Sequence, residues 1–86
     1  MITRDNIREV IDAITQDQIE RVMESKKDYV LLELLSYGAV FLMPVADSES
    51  AHEEALESGG VCCDKDDLLR LFKESGSKNP FFAEYL

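Results

Sequence analysis

Apolar and polar residues at the start of the chain recur with helical spacing, and one nine-residue pattern occurs twice there. Residues 2–10 and 14–22 both read I-T-x-D-x-I-x-x-V. In each copy the threonine is suited to cap a helix, the aspartate falls in the first turn, and the isoleucines have the spacing of a hydrophobic staple. The repeat therefore predicts two short helices, each with a narrow apolar face.

The predicted N-caps of these helices are Thr3 and Thr15, and Gln18 lies where it would complete a capping box with Thr15. Neither helix is long enough to be stable alone, so both must pack on the rest of the domain. A duplicated interaction element is one interpretation of the repeat. We favour the other, in which two helices use the same capping chemistry without a shared function.

The segment 29–46 combines aromatic, valine and leucine residues with a glycine-containing turn, which predicts a β-hairpin. We expect a loop formed by Tyr37 and Gly38 alone. The expected pairs on one wholly apolar face are Ser36–Ala39, Leu34–Phe41, Leu32–Met43 and Val30–Val45. Those on the other, partly polar face are Leu35–Val40, Glu33–Leu42, Leu31–Pro44 and Tyr29–Ala46. Because Pro44 cannot donate a backbone hydrogen bond, its strand should have an unpaired side there or end nearby.

A helix is the alternative for the first part of this segment. It would begin at an N-cap on Ser25, with Asp28 in its first turn, and end at Gly38. Short apolar runs do not distinguish helix from strand by periodicity. This alternative would make the domain mostly α.

The second half of the chain predicts a helix, a short strand and another helix. Residues 47–57 carry five acids and no base, with Ser50 and Glu53 as an expected capping box and two glycines as the stop. Residues 61–63 form a short strand, after which Asp64 begins a stronger helix. The apolar positions of that helix are Leu68, Leu69, Leu71 and Phe72. The order of strands and helices predicts a crossover packed on a small sheet.

The last segment, 79–86, begins with an asparagine and a proline suited to a helix start and is rich in aromatic residues. We predict a short aromatic helix there. Its apolar side chains either close the core of a small domain or form a docking tail, because aromatic residues dominate interface hot spots. The side chains concerned are Phe81, Phe82, Tyr85 and Leu86.

Length and composition favour one folded domain over residues 1–86, since 45% of the residues are hydrophobic and the chain has room for a single core. The predicted class is α+β. Its order is two short N-terminal helices, a β-hairpin, a helix, a short strand and C-terminal helices in one small domain, with mostly α as the alternative.

The net charge of −9, from 18 acids and 9 bases, disfavours direct binding to nucleic acid and to anionic membranes. The segment 29–46 is too interrupted by polar residues and Pro44 for a membrane span. The charged first ten residues lack a secretory signal, and two adjacent cysteines make no disulfide framework. We therefore expect a cytoplasmic protein.

Candidate reactive groups are few. Cys62 and Cys63 are neighbours on a predicted strand, so their side chains should point to opposite faces. His52 is the only histidine and falls in the acidic helix. No C-x-x-C, phosphate loop or other catalytic motif is present. We predict no enzyme activity, no catalytic residue, no metal site and no cofactor.

The leading hypothesis is a non-catalytic protein-binding or regulatory module, with self-association into a homodimer through the hairpin edge as one form of it. The first alternative is an acidic inhibitor that imitates nucleic acid and binds a basic protein. The second is a small thiol-dependent enzyme or redox protein centred on Cys62 or Cys63. The predicted partner-binding residues are Phe81, Phe82, Tyr85, Leu86, Glu49, Glu53, Glu54 and Glu57.

Overall fold

The computed structural model describes every residue from Met1 to Leu86 and combines helices with one small sheet. Its elements are α1 (Ile7–Asp12), α2 (Gln16–Glu24), β1 (Tyr29–Leu34), β2 (Val40–Val45), α3 (Ser48–Ser58), β3 (Val61–Asp64), α4 (Lys65–Ser75) and a C-terminal 3-10 helix (Pro80–Tyr85). The α+β prediction is confirmed. Because residues 29–34 form a strand, the helix proposed to start at Ser25 is wrong.

The two copies of the N-terminal repeat begin their helices differently. In the second copy the Thr15 hydroxyl accepts from the backbone N–H of Gln18 at 3.3 Å, and the Gln18 side chain accepts from the Thr15 N–H at 2.9 Å, which confirms the capping box. In the first copy Thr3 does not cap, and α1 begins only after Asn6. The Asn6 side chain accepts from the Thr3 N–H at 2.7 Å, but no return bond forms. Only one of the two capping-box hydrogen bonds is therefore present, and residues 4–6 form a turn before the helix.

The sheet has the strand order β2-β1-β3, and both strand pairs are antiparallel. Helix α3 connects β2 to β3 and crosses β1, as the order of elements predicted. Strand β2 lies at an edge, which confirms the expectation drawn from Pro44 that this strand has an unpaired side.

The hairpin register differs by one residue from the sequence prediction. Leu32 pairs with Leu42, where Met43 was expected. The reason is a longer loop: the Leu35 N–H donates to the Ala39 carbonyl at 2.8 Å, and the Gly38 N–H donates to the Leu35 carbonyl at 2.9 Å. Gly38 has φ 91°, the left-handed conformation that a loop of this length requires. The shift exchanges the two faces of β2 relative to β1.

The two faces of the sheet have different cover. Val30, Leu32 and Leu42 point to the core face, where α1, α2, α4 and the 3-10 helix pack. The buried core on this side consists of Val10, Ile11, Ile14, Ile19, Val22, Val30, Leu32, Leu42, Leu68 and Phe82. On the opposite face, which we call the α3 face, α3 covers the sheet with Ala51 and Ala55.

Asn79 caps the C-terminal helix, as predicted, and also attaches this segment to the core, which was not predicted. Its buried side-chain amide donates to the carbonyls of Ile11 and Ile14 at 2.8 and 2.9 Å, and its side-chain oxygen accepts from the Phe81 N–H at 3.0 Å. The Phe82 ring is fully buried and stacks on Phe72 with 4.6 Å between ring centroids. The start of the tail and one of its aromatic rings therefore belong to the core.

Two aspartates set the starts of α3 and α4. Asp47 accepts from the Glu49 N–H at 3.0 Å and from the Ser50 hydroxyl at 2.9 Å. The predicted Ser50–Glu53 capping box is wrong, because Asp47 caps the helix one turn earlier. These hydrogen bonds, that from Ser50 first, lower the pKa of Asp47. Asp64 caps α4 as predicted, accepting from the Asp67 N–H at 2.8 Å.

None of the helices combines the length and the apolar character that crossing a membrane requires.

Candidate functional site

The outer edge of β2 presents backbone groups that have no strand beside them. The bond from Leu35 to Ala39 fixes the alternation of the antiparallel ladder, so the odd-numbered residues of β2 bond to β1. The N–H and C=O groups of Val40 and Leu42, and the C=O of Pro44, therefore point away from the sheet. An edge of this kind is a template for a further strand.

Three apolar side chains of β2 lie on the α3 face, beside the helix and not beneath it. Helix α3 packs mainly on β1 and β3. Phe41 is consequently 42% exposed, and Met43 and Val45 are half-buried. We call these side chains, with the outward backbone groups of Val40, Leu42 and Pro44, the β2 edge surface. The strand carries no charged residue.

Gln18 covers one group of this edge. Its side-chain amide donates to the Val40 carbonyl at 3.0 Å, while its side-chain oxygen holds the Thr15 N–H. One side chain thus serves the helix cap and the strand edge together. The Val40 carbonyl has a partner, and Pro44 has no N–H. Leu42 is therefore the one residue of the edge whose N–H and C=O are both unpaired.

A glutamate with a largely buried side chain lies next to Phe41, and its carboxylate oxygens keep contact with solvent. Glu33 is directly opposite Phe41 in the ladder and is 8% exposed, with no hydrogen bond or ion pair to another side chain. The Ser58 hydroxyl, at the end of α3, is buried without a partner. A Cβ atom added to Gly60 would lie 3.2 Å from both Ser58 Oγ and Glu33 Cγ, so these two side chains are near neighbours. Glu33 was not singled out from the sequence as a site residue.

A cleft of about 410 Å³ opens between α3, β3 and the start of α4. It brings His52 together with both cysteines. From the sequence, this proximity was only a condition that a thiol mechanism would have to meet. We call it the acidic cleft, because three carboxylates line it. Its lining consists of Tyr29, Ser48, Glu49, His52, Cys62, Cys63, Asp64 and Asp67.

The environment of the cleft keeps its thiols protonated. Burial raises the pKa of Cys62. Burial first, then the negative charges of Asp67 and Asp64, raise the pKa of Cys63 to about 12. Because the thiolate is the nucleophile, both shifts oppose thiol chemistry near neutral pH. No group of three or more His, Cys, Asp or Glu side chains has the arrangement of a metal site.

The acidic side chains predicted to bind a partner lie on the outside of α3. Glu49, Glu53 and Glu57 follow one another at the spacing of one helical turn, and Glu54 lies to one side of that row. All are exposed. Ala51 and Ala55 hold the opposite side of the helix against the sheet, so the row points to solvent.

The predicted tail residues divide between core and surface. Phe82 is fully buried, Tyr85 is half-buried, and Phe81 and Leu86 are exposed. Partial burial, followed by the carboxylates of Glu84, Glu20 and Glu24, raises the pKa of Tyr85. Phe81 and Leu86 are therefore the apolar side chains of the tail that the core leaves at the surface.

The sequence prediction placed the aromatic and methionine side chains of β2 on the wholly apolar face of the hairpin. With the expected register, Phe41, Met43 and Val45 belonged to the wholly apolar face that pairs with Val30 and Leu32. Pro44 correctly indicated that β2 is an edge strand, but the loop length decided which side chains of β2 are exposed.

Comparison with models of protein families, with curated proteins and with solved structures finds no match to this chain.

Proposed function

We propose that this chain is a non-catalytic protein-binding module whose main docking site is the β2 edge surface. The observation that supports it is the coincidence of an unpaired strand edge with an exposed Phe41 on an uncharged strand. Backbone hydrogen bonds to an added strand provide affinity, and side chains on the flanking face provide specificity.

Phe41 is the side chain expected to contribute most to this docking. Aromatic residues are enriched among interface hot spots, and Phe41 already has neighbours in Met43 and the buried Glu33. Covering this strip removes apolar surface from water on a side that α3 leaves open. The exposed tail residues Phe81 and Leu86 remain a second proposed contact.

The acidic cleft argues against a thiol enzyme. A thiol enzyme needs thiolate near neutral pH, and the pKa values of Cys62 and Cys63 are both raised. Both cysteines are free thiols, and a thiol enzyme would also need a hydrogen bond from His52 to one of the sulfurs. We therefore rank the thiol hypothesis below docking.

The proposal is tested by affinity capture with a matched pair of variants, analysed by mass spectrometry. Phe41→Lys places a charge on the β2 edge surface, whereas Tyr37→Lys places one on the hairpin loop, where the ring is 79% exposed. We expect Phe41→Lys to reduce the captured partner by about tenfold or more, as loss of a hot spot does, and Tyr37→Lys to leave it unchanged. Equal capture by wild type and Phe41→Lys would remove this surface from the proposal.

An acidic inhibitor of a basic protein is the second candidate, favoured by the exposed row of Glu49, Glu53 and Glu57 on α3. Its affinity should fall steeply as salt is added, because exposed charges are screened. Charge reversal at Glu53, Glu54 and Glu57 should abolish it. Binding that ignores both salt and these substitutions would exclude the candidate.

A further inference from the structure

We propose that the strand bound by the β2 edge surface is β2 of a second copy of this chain, in an antiparallel pair centred on Leu42. The two sheets would then join into one continuous sheet across a two-fold axis. This inference rests on the proposed docking site and names its partner.

Reciprocity at Leu42 is the first reason. Its N–H and C=O both point outward, so in a two-fold pair the N–H of each copy donates to the C=O of the other. A two-fold axis at this residue therefore satisfies both groups at once. Leu42 is itself firmly placed, since its side chain is only 3% exposed within the core.

The neighbouring positions agree with the same register. It puts Val40 of each copy opposite Pro44 of the other, so the Val40 N–H donates to the Pro44 carbonyl. The return bond would need a donor on Pro44 and a free acceptor on Val40. Pro44 has no N–H, and the Val40 carbonyl already accepts from Gln18. The residue without a donor, Pro44, thus faces the residue whose acceptor is already used, Val40. In this register every outward N–H and C=O group of these residues therefore has a partner.

Shifted registers fit less well. If Leu42 faced Pro44 of the other copy, the Leu42 carbonyl would find no donor. If Val40 faced Leu42, the Leu42 N–H would have to share the Val40 carbonyl with Gln18, and the Pro44 carbonyl would lie beyond the paired strand. The backbone of this one strand thus selects the register in which it is complementary to itself.

Side chains and charge support the same partner. On the α3 face the register places Phe41 of each copy opposite Met43 of the other, and aromatic rings make favourable contacts with thioether sulfur. No charged residue lies on β2 although the chain carries −9, so strand pairing brings no like charges of β2 together. The excess negative charge elsewhere should make the dimer tighter as salt rises.

Sedimentation equilibrium over micromolar to millimolar concentration tests the dimer. We expect wild type and Tyr37→Lys to dimerise alike, and Phe41→Lys to weaken the dimer by about tenfold or more, because two symmetric cross-strand pairs are lost. A wild-type chain that stays monomeric throughout would overturn the inference. So would a dimer that Phe41→Lys leaves unchanged while its circular dichroism remains that of wild type.

Amide hydrogen exchange on the wild-type chain gives a test that needs no variant. Protection of the Leu42 and Val40 amides should increase with protein concentration, whereas the Phe41 and Met43 amides, bonded to β1, should be protected at every concentration. Leu42 protection that does not change would overturn the proposed pair. A monomer whose capture of another protein still depends on Phe41 would end the dimer inference and leave the proposed function standing.

Discussion

The two edge strands of the sheet differ in length, in charge and in what surrounds them. Strand β2 has six residues and no charge, whereas β3 has four, ends at Asp64 and borders the acidic cleft. Short strands and charged side chains are common means of preventing edge-to-edge pairing. Edge β3 has both. Edge β2 has only Pro44 and the Gln18 contact, which leave Leu42 open.

The sharpest contrast concerns the Cys63 thiol of the β3 edge, which should be nearly inert. With the pKa of Cys63 at about 12, its thiolate fraction near neutral pH is about a thousandfold below that of an ordinary cysteine. We expect Cys63 to react with iodoacetamide that much more slowly than free cysteine, as measured on Cys62→Ser, and the complementary Cys63→Ser variant to react faster. Rapid alkylation of Cys63 would revive the thiol hypothesis.

The same shift fixes a direction for stability against pH. The folded state holds the Cys63 proton more tightly than the unfolded chain, so its contribution is complete below the ordinary thiol pKa of 9.0 and is lost as the pH rises towards about 12. Urea midpoints of the wild type should therefore fall across that alkaline interval, and fall less for Cys63→Ser.

The two edges should also differ in how strongly they are anchored to the core. Leu42 is buried in the main core, whereas Val61 of β3 is half-buried. We expect Leu42→Ala to lower the free energy of unfolding by about 3 kcal/mol, and Val61→Ala by about 1 kcal/mol. Urea denaturation followed by circular dichroism measures both. Equal losses would mean that β2 is no better fixed than β3.

Gln18 provides the finest test, because it links the helix cap to the β2 edge. Gln18→Ala removes the bonds to Thr15 and Val40 and should cost about 1 kcal/mol of stability. The matched control is Gln16→Ala, which removes one exposed bond to Glu20 and should change stability by less than about 0.5 kcal/mol. If both variants behave alike, Gln18 has no special role at the edge.

Local signals in the sequence predicted much of this fold. The capping box of Thr15 and Gln18 and the Asp64 cap depend on residues close together in the chain, and the missing N–H of Pro44 is a property of one residue. The hairpin register depended on one extra loop residue before Gly38, which residue types alone did not distinguish. That single residue decided whether Phe41 is buried or exposed.

The acidic cleft could not be predicted from neighbouring residues, for a different reason. His52 and Cys62 meet only because α3 crosses the sheet and packs beside β3, and the strand order that permits this is a long-range property. The tail residues predicted to bind a partner posed a similar difficulty. The bond from Asn79 to Ile11 joins distant parts of the chain, so residues near the tail do not reveal which of its aromatic rings is buried.

The position of β1 has a consequence for how the chain reaches its native state. Both neighbours of β1 follow it in the sequence, and β3 arrives only after the whole of α3. During synthesis on the ribosome, the hairpin must therefore wait with one side of β1 open, and closing that ladder requires ordering a long intervening segment. Until β3 pairs with it, this open side of β1 can pair with a wrong strand.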